Sequence, residues 1–373
     1  MFLALKEMRR AKVRFALLMG AIGLLVFLVL FQQSLQNGLI TGFVGGIRNQ
    51  SAPVVVYSVD GRRNLQGGVL LPELEAQVRA VDGVGRAGRL GLSTFTVEAG
   101  GKQADASVVG YDAEGLGSPA NLVKGRLPSA VGEAVASEVD ASDGFDVGDV
   151  VTLMPGGYTI TVVGLAADVQ VNVTPTLFAT FDTYEAAVRS RFGNADAVLL
   201  PNALAIEPVA GVTPAQLVER INAISDEVDA LTRSDAATKA PGVSQVQTSF
   251  RMIFVLYGLV VPFVIGLFFL IVTLQKTGAL TLLRAIGAST SKLVIALLIQ
   301  VLVVVAAGLA VGVLLYAPVS QAKLGGIRLR FETTAVIVWT VVVIVAGLVS
   351  SIFSATRVRH IDPVDAVGGG GSR

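Results

Sequence analysis

What most constrains this chain is how long it runs without charge. No Asp, Glu, Lys or Arg occurs from Phe15 to Ile47, and equally bare runs occupy 252–275, 293–317 and 334–355. A charge at the centre of a membrane helix costs about 2.5–3.5 kcal/mol on insertion scales. About 20 apolar residues cross the hydrocarbon core, so runs of this length are explained by lipid. With 53% hydrophobic and only 15% charged residues in 373, a single water-soluble globule is excluded. The expected fold is an α-helical membrane protein with four spans, 15–33, 250–275, 293–317 and 334–355, arranged one plus three.

As one helix the first run would measure about 50 Å, well beyond the ~30 Å hydrocarbon core. The span is therefore expected to end at 33, with Gln32 to Gly46 leading outward as a stalk or an irregular segment. Gly38, Gly42 and Gly46 stand four apart. They offer either a close-packing face or a helix break, and the break is the expectation. A cleavable signal peptide is the rival reading of this span. The run is longer than such a peptide's apolar region and no small-x-small site follows it closely, so an uncleaved anchor is expected. Residues 1–14 carry Lys6, Arg9, Arg10, Lys12 and Arg14 against Glu7, with apolar residues between, as an interfacial amphipathic helix does.

Net charge is near zero but strongly segregated. Residues 34–249 hold 24 acidic and 14 basic residues, the remainder 4 acidic and 15 basic. Lys and Arg beside the spans favour the face bearing 1–14, the linker 276–292 and the tail 356–367 over the short loop 318–333. Both termini and the linker are then cytoplasmic, and 34–249 is extracytoplasmic. The basic residues flank lipid rather than a soluble surface, which argues against nucleic-acid binding. No cysteine is present, which removes disulfides, thiol nucleophiles and thiolate metal sites. Residues 368–373 read as an appended glycine-rich linker.

The 34–249 segment reads as α+β in two lobes. Strands are expected at 54–59, 92–97, 149–153 and 158–163, and short helices at 72–81 and 183–191. Turns are marked by Asp60-Gly61, Asp82-Gly83, Asp143-Gly144 and Pro155-Gly-Gly157. Thr213 to Leu231 reads as one capped helix with Leu217, Ile221, Ile224, Val228 and Leu231 in a heptad-like stripe. That stripe asks for a partner, as a stalk or dimer helix would. A polar connection, 232–249, leads back to the membrane. The linker 276–292 also reads as a helix, because Leu280, Leu283 and Gly287 recur at spacings of three and four and Gly287 with Ser289 gives a stop. Its alternative is a surface hairpin that only connects.

Several chemistries are excluded. No phosphate-binding loop exists, since Gly101-Lys102 is followed by Gln103 and lacks the preceding glycine. The single histidine, His360, lies in the basic tail and cannot assemble a triad or a zinc site. Glu133, Glu138, Asp140, Asp143, Asp146 and Asp149 do not follow EF-hand spacing and read as a solvated acidic face. The spans hold no buried ionisable residue of the sort ion-coupled transporters use, and Arg251 sits at a span end where snorkelling accounts for it.

These features resemble a known family. Leu5-Lys-Glu-Met-Arg-Arg-Ala-Lys-Val-Arg14, Asp82-Gly-Val84, Gly125-Arg126, Gly132-Glu133-Ala-Val-Ala-Ser137, Val147-Gly-Asp149, Val162-Val-Gly164, Leu282-Leu-Arg-Ala-Ile-Gly-Ala-Ser289 and Arg359-His-Ile-Asp-Pro363 follow one another in the order found in MacB/FtsX-type ABC transporter permeases. The resemblance spans essentially the whole chain. It implies a membrane subunit whose helix at Leu280, Leu282, Leu283, Arg284, Ala285, Ile286, Gly287 and Ala288 contacts a separate nucleotide-binding ATPase. ATP and magnesium would belong to that partner, and this chain would be no enzyme and hold no cofactor. Ala279 stands where the family commonly has a glutamate, which leaves docking to Arg284 and the apolar side chains. The resemblance further implies a second permease copy, identical or paralogous, in the inner membrane of a bacterium. ATP-driven motion would reach the outer domain for export or extraction of a substrate. The alternatives are a non-transporting complex that drives an extracytoplasmic cell-wall hydrolase, and an anchored sensor or adhesion protein without an ATPase.

Overall fold

The computed structural model describes residues 12–112, 114–192, 199–285 and 289–359. In chain order the helices are α1 Lys12–Arg48, α2 Pro72–Arg79, α3 Phe181–Phe192, α4 Pro214–Asn222, α5 Arg233–Thr238, α6 Val243–Ala285, α7 Thr290–Val319 and α8 Thr333–Arg359. The strands are β1 Val54–Ser58, β2 Val84–Ala99, β3 Lys102–Tyr111, β4 Leu122–Gly125, β5 Glu133–Ser137, β6 Val150–Met154, β7 Tyr158–Ala166, β8 Thr176–Thr180, β9 Ala203–Pro208, β10 Val228–Thr232, β11 Lys323–Leu324 and β12 Ile327–Arg328. Two compact units result. One holds the chain up to Gln36, Ser249–Ala322 and the chain from Leu329 onward; the other holds Asn37–Thr248 and Lys323–Arg328.

The first unit is helical. Phe15, Leu18, Ile22, Val26, Val29 and Leu30 repeat at helical spacing along α1 and are buried against Val261, Ile265 and Phe269 of α6, Val304 and Val305 of α7, and Trp339 and Val343 of α8. Lipid tails are as apolar as these side chains, so association depends on close packing and small residues. Gly308 and Gly312 of α7 supply it: a methyl at Gly312 would lie 2.8 Å from the Gly23 carbonyl of α1, and one at Gly308 3.2 Å from that of Met19. Among the described residues three helices are long and apolar enough to cross a membrane, 12–48, 243–275 and 293–319, while the described apolar part of α8 is the shorter Thr333–Val349.

Two expectations about these helices are corrected. The segment 276–285 is not a helix of its own, because α6 continues through it without interruption. Nothing between Gln275 and Ala285 stops a helix except Gly278, whose cost of about 1 kcal/mol a helix of 43 residues absorbs. Nor do the glycines after Gly38 break α1, which runs on to Arg48. Side-chain-free positions there let other backbone come close. A methyl at Gly38 would sit 2.8 Å from the Arg328 carbonyl, one at Gly46 3.0 Å from that of Val169, and one at Gly45 would overlap that of Asp168.

The second unit is an α+β domain whose two lobes share one strand. β2 pairs with β9 through Val84–Leu90 and with β3 through Gly91–Ala99. The sheet order is β10-β1-β9-β2-β3-β8-β5-β7-β4, with β6 bridging β2 and β7. One lobe packs α2 and α4 on the sheet through Leu74, Val78, Leu217 and Ile221. The other encloses Phe95, Phe145, Ile160 and Leu177, and a third cluster gathers Ile40, Val44 and Ile47 of α1 with Val55, Val109, Phe178 and Val243 of α6. The end of α1 and the start of α6 thus enter one core.

The stripe read as a single stalk or dimer helix, Leu217 to Leu231, is likewise corrected. Thr213 and Gln216 form a capping box and α4 begins as expected, but it ends at Asn222. Ser225 accepts from the Glu227 N–H in a turn that starts β10, with Val228 and Leu231 in register with Ser58 and Val55 of β1. Leu217, Ile221, Val228 and Leu231 are buried within their own lobe, and Ile224 is left exposed at the turn. No second chain is needed to cover them. The polar connection 232–249 also folds, as α5 and the first turn of α6.

Gly45→Val must displace the Asp168 carbonyl, and overpacking of this sort costs about 1–3 kcal/mol. The expected outcome is a melting temperature several degrees lower for the purified protein. Gly20→Val, with no atom within 4 Å of the added carbon, should leave melting unchanged.

Candidate functional site

The residues of the second unit that converge are the last turns of α1, the segment 168–174, the turn 138–143 and the hairpin β11–β12. In 168–174, Asp168, Asn172 and Val173 adopt left-handed backbone, with Val173 at φ +57°. For a β-branched residue that conformation is costly. Backbone hydrogen bonds hold it: Val173 N–H donates to the Gly42 carbonyl at 2.8 Å and Asn172 N–H to that of Phe43 at 3.1 Å. Gly46 N–H donates to the Gln170 carbonyl at 2.9 Å, and the Asn49 amide to that of Asp168 at 2.7 Å.

The hairpin turns on Gly325-Gly326, with φ +56° and +82°, the conformation that two-residue hairpin turns favour. Its register sets Lys323 opposite Arg328. Like charges so placed destabilise a pair of strands, and here anions answer them. Lys323 Nζ lies 3.1 Å from Asp140 and 2.5 Å from Asp143 and donates to the Val139 carbonyl at 2.8 Å, while Arg328 meets Glu138 at 2.7 Å. Only Asp140 of this set has a buried side chain, 2% exposed, and the Gln170 amide also donates to it at 2.9 Å. Burial pushes the Asp140 carboxyl above its ordinary pKa despite Lys323 and Gln170. Burial works against the Lys323 charge, yet the bonds to Asp143 and Asp140 outweigh it and raise the ammonium pKa.

The acidic residues read as a solvated face are thus largely paired. Glu133 binds Arg126 at 2.5 Å and Asp146 binds Lys124 at 2.7 Å, while Asp149 caps the Asp146 N–H at 2.8 Å. Among the described residues no three His, Asp or Glu side chains gather as metal ligands. Beside the α1 end a cavity of about 70 Å³ is lined by Phe43, Ile47, Arg63, Asn64, Leu92 and Asn172, room for one aliphatic side chain or a water pair.

The sequence motifs prove to be points of chain closure. Gly125, at φ +74°, sits where any side chain would strike the Val163 carbonyl. Gly148 N–H donates to the Val162 carbonyl at 2.8 Å. The Asp82 carbonyl accepts from Arg220 at 3.0 Å. Leu280, Leu282, Leu283, Arg284 and Ala285 occupy the final turns of α6, with Leu282 exposed, whereas Ile286, Gly287 and Ala288 lie outside the described residues.

Along 99% of its length the chain is 23% identical to HrtB of Staphylococcus haemolyticus, named for a hemin transport system permease, and covers 99% of it. It is 25% identical, over the same share of both chains, to the uncharacterized ABC transporter permease Rv0072 of Mycobacterium tuberculosis. Along its whole length the chain is therefore similar to ABC transporter permeases. No family model matches it. Among solved structures, the periplasmic region of MacB from Actinobacillus actinomycetemcomitans aligns over 50% of this chain and 91% of that chain, at 13% identity and a TM-score of 0.37. The extracellular domain of the transporter YknZ from Gram-positive bacteria aligns over 48% and 99%, at 12% identity and a TM-score of 0.34. The chain is a membrane protein, and its ordered motifs resemble those of MacB/FtsX-type permeases.

Arg126, with the Ser129 and Ala130 N–H groups, holds Glu133 at a pKa of about 2, below its usual 4.5. The stability this pair lends is complete above about 4.5 and lost as pH falls through about 2. Between those limits the protein should lose more thermal stability than Glu133→Gln, whose melting curve should be flatter there. Parallel curves would show that the pair contributes nothing.

Proposed function

We propose that this permease is the membrane subunit of an ABC transporter and carries ATP-driven motion from a separate nucleotide-binding subunit to the domain 37–248, for export or extraction of a substrate at the outer face. The observation that carries this reading is α6. It is one helix whose first turns share a core with the end of α1 and whose last turns bear the Leu282-Leu-Arg-Ala motif. α6 stays helical through Pro262, where one backbone hydrogen bond is missing. A continuous helix transmits displacement along its axis, while a flexible linker would absorb it.

In this reading α8 is the fourth span, both termini and the end of α6 are cytoplasmic, and the large domain faces outward from the inner membrane. ATP and magnesium are bound by the partner, since this chain offers no phosphate-binding loop. Two permease copies sit on two ATPase copies. The hemin named for the staphylococcal relatives is the first compound to test as substrate. That name favours transport over force transmission to a cell-wall hydrolase.

The test is the double variant Leu283→Asp, Arg284→Asp, assayed with the nucleotide-binding subunit that co-purifies in mild detergent. Loss of a docking centre worth about 2 kcal/mol weakens association roughly 30-fold. Permease-dependent ATPase stimulation should fall accordingly, while the variant stays in the membrane fraction at normal yield. Undiminished stimulation would remove the assignment of this segment.

A further inference from the structure

The side-chain hydrogen bonds of the β11–β12 hairpin are ionic apart from that of Lys323 to the Val139 carbonyl. Each strand is two residues long, Leu324 is exposed, and Ile327 lies where a methyl added at Gly38 would meet it at 2.7 Å. What remains are Lys323 on Asp140 and Asp143 and Arg328 on Glu138, with side chains 28% and 45% exposed for the two cations. Partly exposed pairs are each worth about 0–1 kcal/mol and are screened by salt. The exposed pairs, Lys323 with Asp143 and Arg328 with Glu138, are weak enough to break and re-form.

Two observations argue that the attachment is more than surface decoration. Lys323 sits directly across the hairpin from Arg328, so the hairpin's own charge pattern favours it only when anions face it. Asp140, in turn, is a buried carboxylate whose other partner is the Gln170 amide, and the Gln170 carbonyl accepts from Gly46 of α1. Asp140 therefore joins the hairpin to the segment that grips the end of α1. The hairpin lies within 320–332, the connection between α7 and α8, and is closed at its base by the Leu329 N–H on the Ala322 carbonyl at 3.0 Å.

We propose that the hairpin 323–328 and the turn 138–143 form a releasable ionic latch, with Asp140 as its positioning residue, which holds the α7–α8 connection to the large domain at rest and opens during the working cycle. The opening step rests on the force-transmission reading above; the latch itself does not. Release exposes two opposed cations on the hairpin and leaves Asp140 with Gln170, so the open state is disfavoured without being forbidden. Such a two-state element can report on, or gate, the motion of the membrane helices.

The chain contains no cysteine, so spin labels at Leu324→Cys and Ser142→Cys, both exposed positions, report the separation cleanly by pulsed electron resonance in the full-length protein. One short distance is expected at rest. Lys323→Gln, or Arg328→Glu alone, should shift roughly half or more of the population to a longer distance, and raising salt from about 0.1 to about 1 M should act in the same direction. Arg328→Glu combined with Glu138→Arg should restore the short distance, and Asp140→Asn should loosen it without lowering the melting temperature appreciably. A short distance that ignores all these charge changes would overturn the latch. In the complex with its co-purified ATPase, trapping with ATP, magnesium and vanadate should populate the longer distance. If trapping leaves the latch closed while ATPase stimulation still depends on the permease, the working-cycle role fails and force transmission survives. If stimulation is absent altogether, force transmission fails, and the charge series still decides the latch.

Discussion

The second unit depends on one contact, that of bare backbone on the last turns of α1. Gly42, Gly45 and Gly46 present no side chain to the segment 168–174, so its carbonyls and N–H groups reach the helix's own. A methyl at Gly45 alone would overlap the Asp168 carbonyl. Val173 is held at φ +57°, a conformation costing on the order of 1–3 kcal/mol, because its N–H must meet the Gly42 carbonyl. The strain and the absent side chains serve the same end. They fix the axial position of α1 against the sheet, where Ile40, Val44 and Ile47 then find Val55, Val109 and Phe178.

Charge supplies a second, softer layer over that contact. The acidic surplus of residues 34–249 is not simply a solvated coat, because Glu133, Glu138, Asp140, Asp143 and Asp146 each answer a particular cation. Most of these pairs are exposed and weak. Asp140 differs in being buried and in having Gln170 and Lys323 on it together. A buried carboxylate stripped of its partners is far more costly than an exposed one, and Gln170 remains on Asp140 whether or not Lys323 does.

Most elements were legible in the sequence because their signals are local. Charge-free runs gave the membrane helices, β-branched runs the strands β1, β2, β6 and β7 but not the other eight, and Thr213 the start of α4. What failed were boundaries and partners. The stripe from Leu217 to Leu231 has heptad spacing, yet Ser225 and Asp226 interrupt it and Val228–Thr232 pairs with β1. A helix of nine residues followed by a strand of five happened to keep the same phase. Glycines on α1 were read as breaks because a glycine's preference against helix is local, whereas the contact that repays it comes from residues more than a hundred positions away. The Gly308-x-x-x-Gly312 pair of α7 carried a readable signal for close packing that charge-centred reading passed over. The ionic network at Lys323 had none: nothing in the order of residues says that 140 and 323 meet.

The misplaced helix ends share a cause. A helix crossing ~30 Å of hydrocarbon needs about 20 residues, but α1 has 37 and α6 has 43. The surplus has to find another apolar surrounding or stay in water. At the end of α1 and the start of α6 the surplus is apolar and is buried in a shared core with the sheet, by Ile40, Val44 and Ile47 from one and Val243 from the other. At the far end of α6 the surplus is also apolar in part, and there Leu282 is 65% exposed. An isolated exposed leucine needs no explanation. One that extends a membrane helix by whole turns, inside the motif Leu282-Leu-Arg-Ala, is placed where a covering surface would gain most by burying it. The length of α6 therefore argues for a partner at that end by the same reasoning that accounts for the core at its other end.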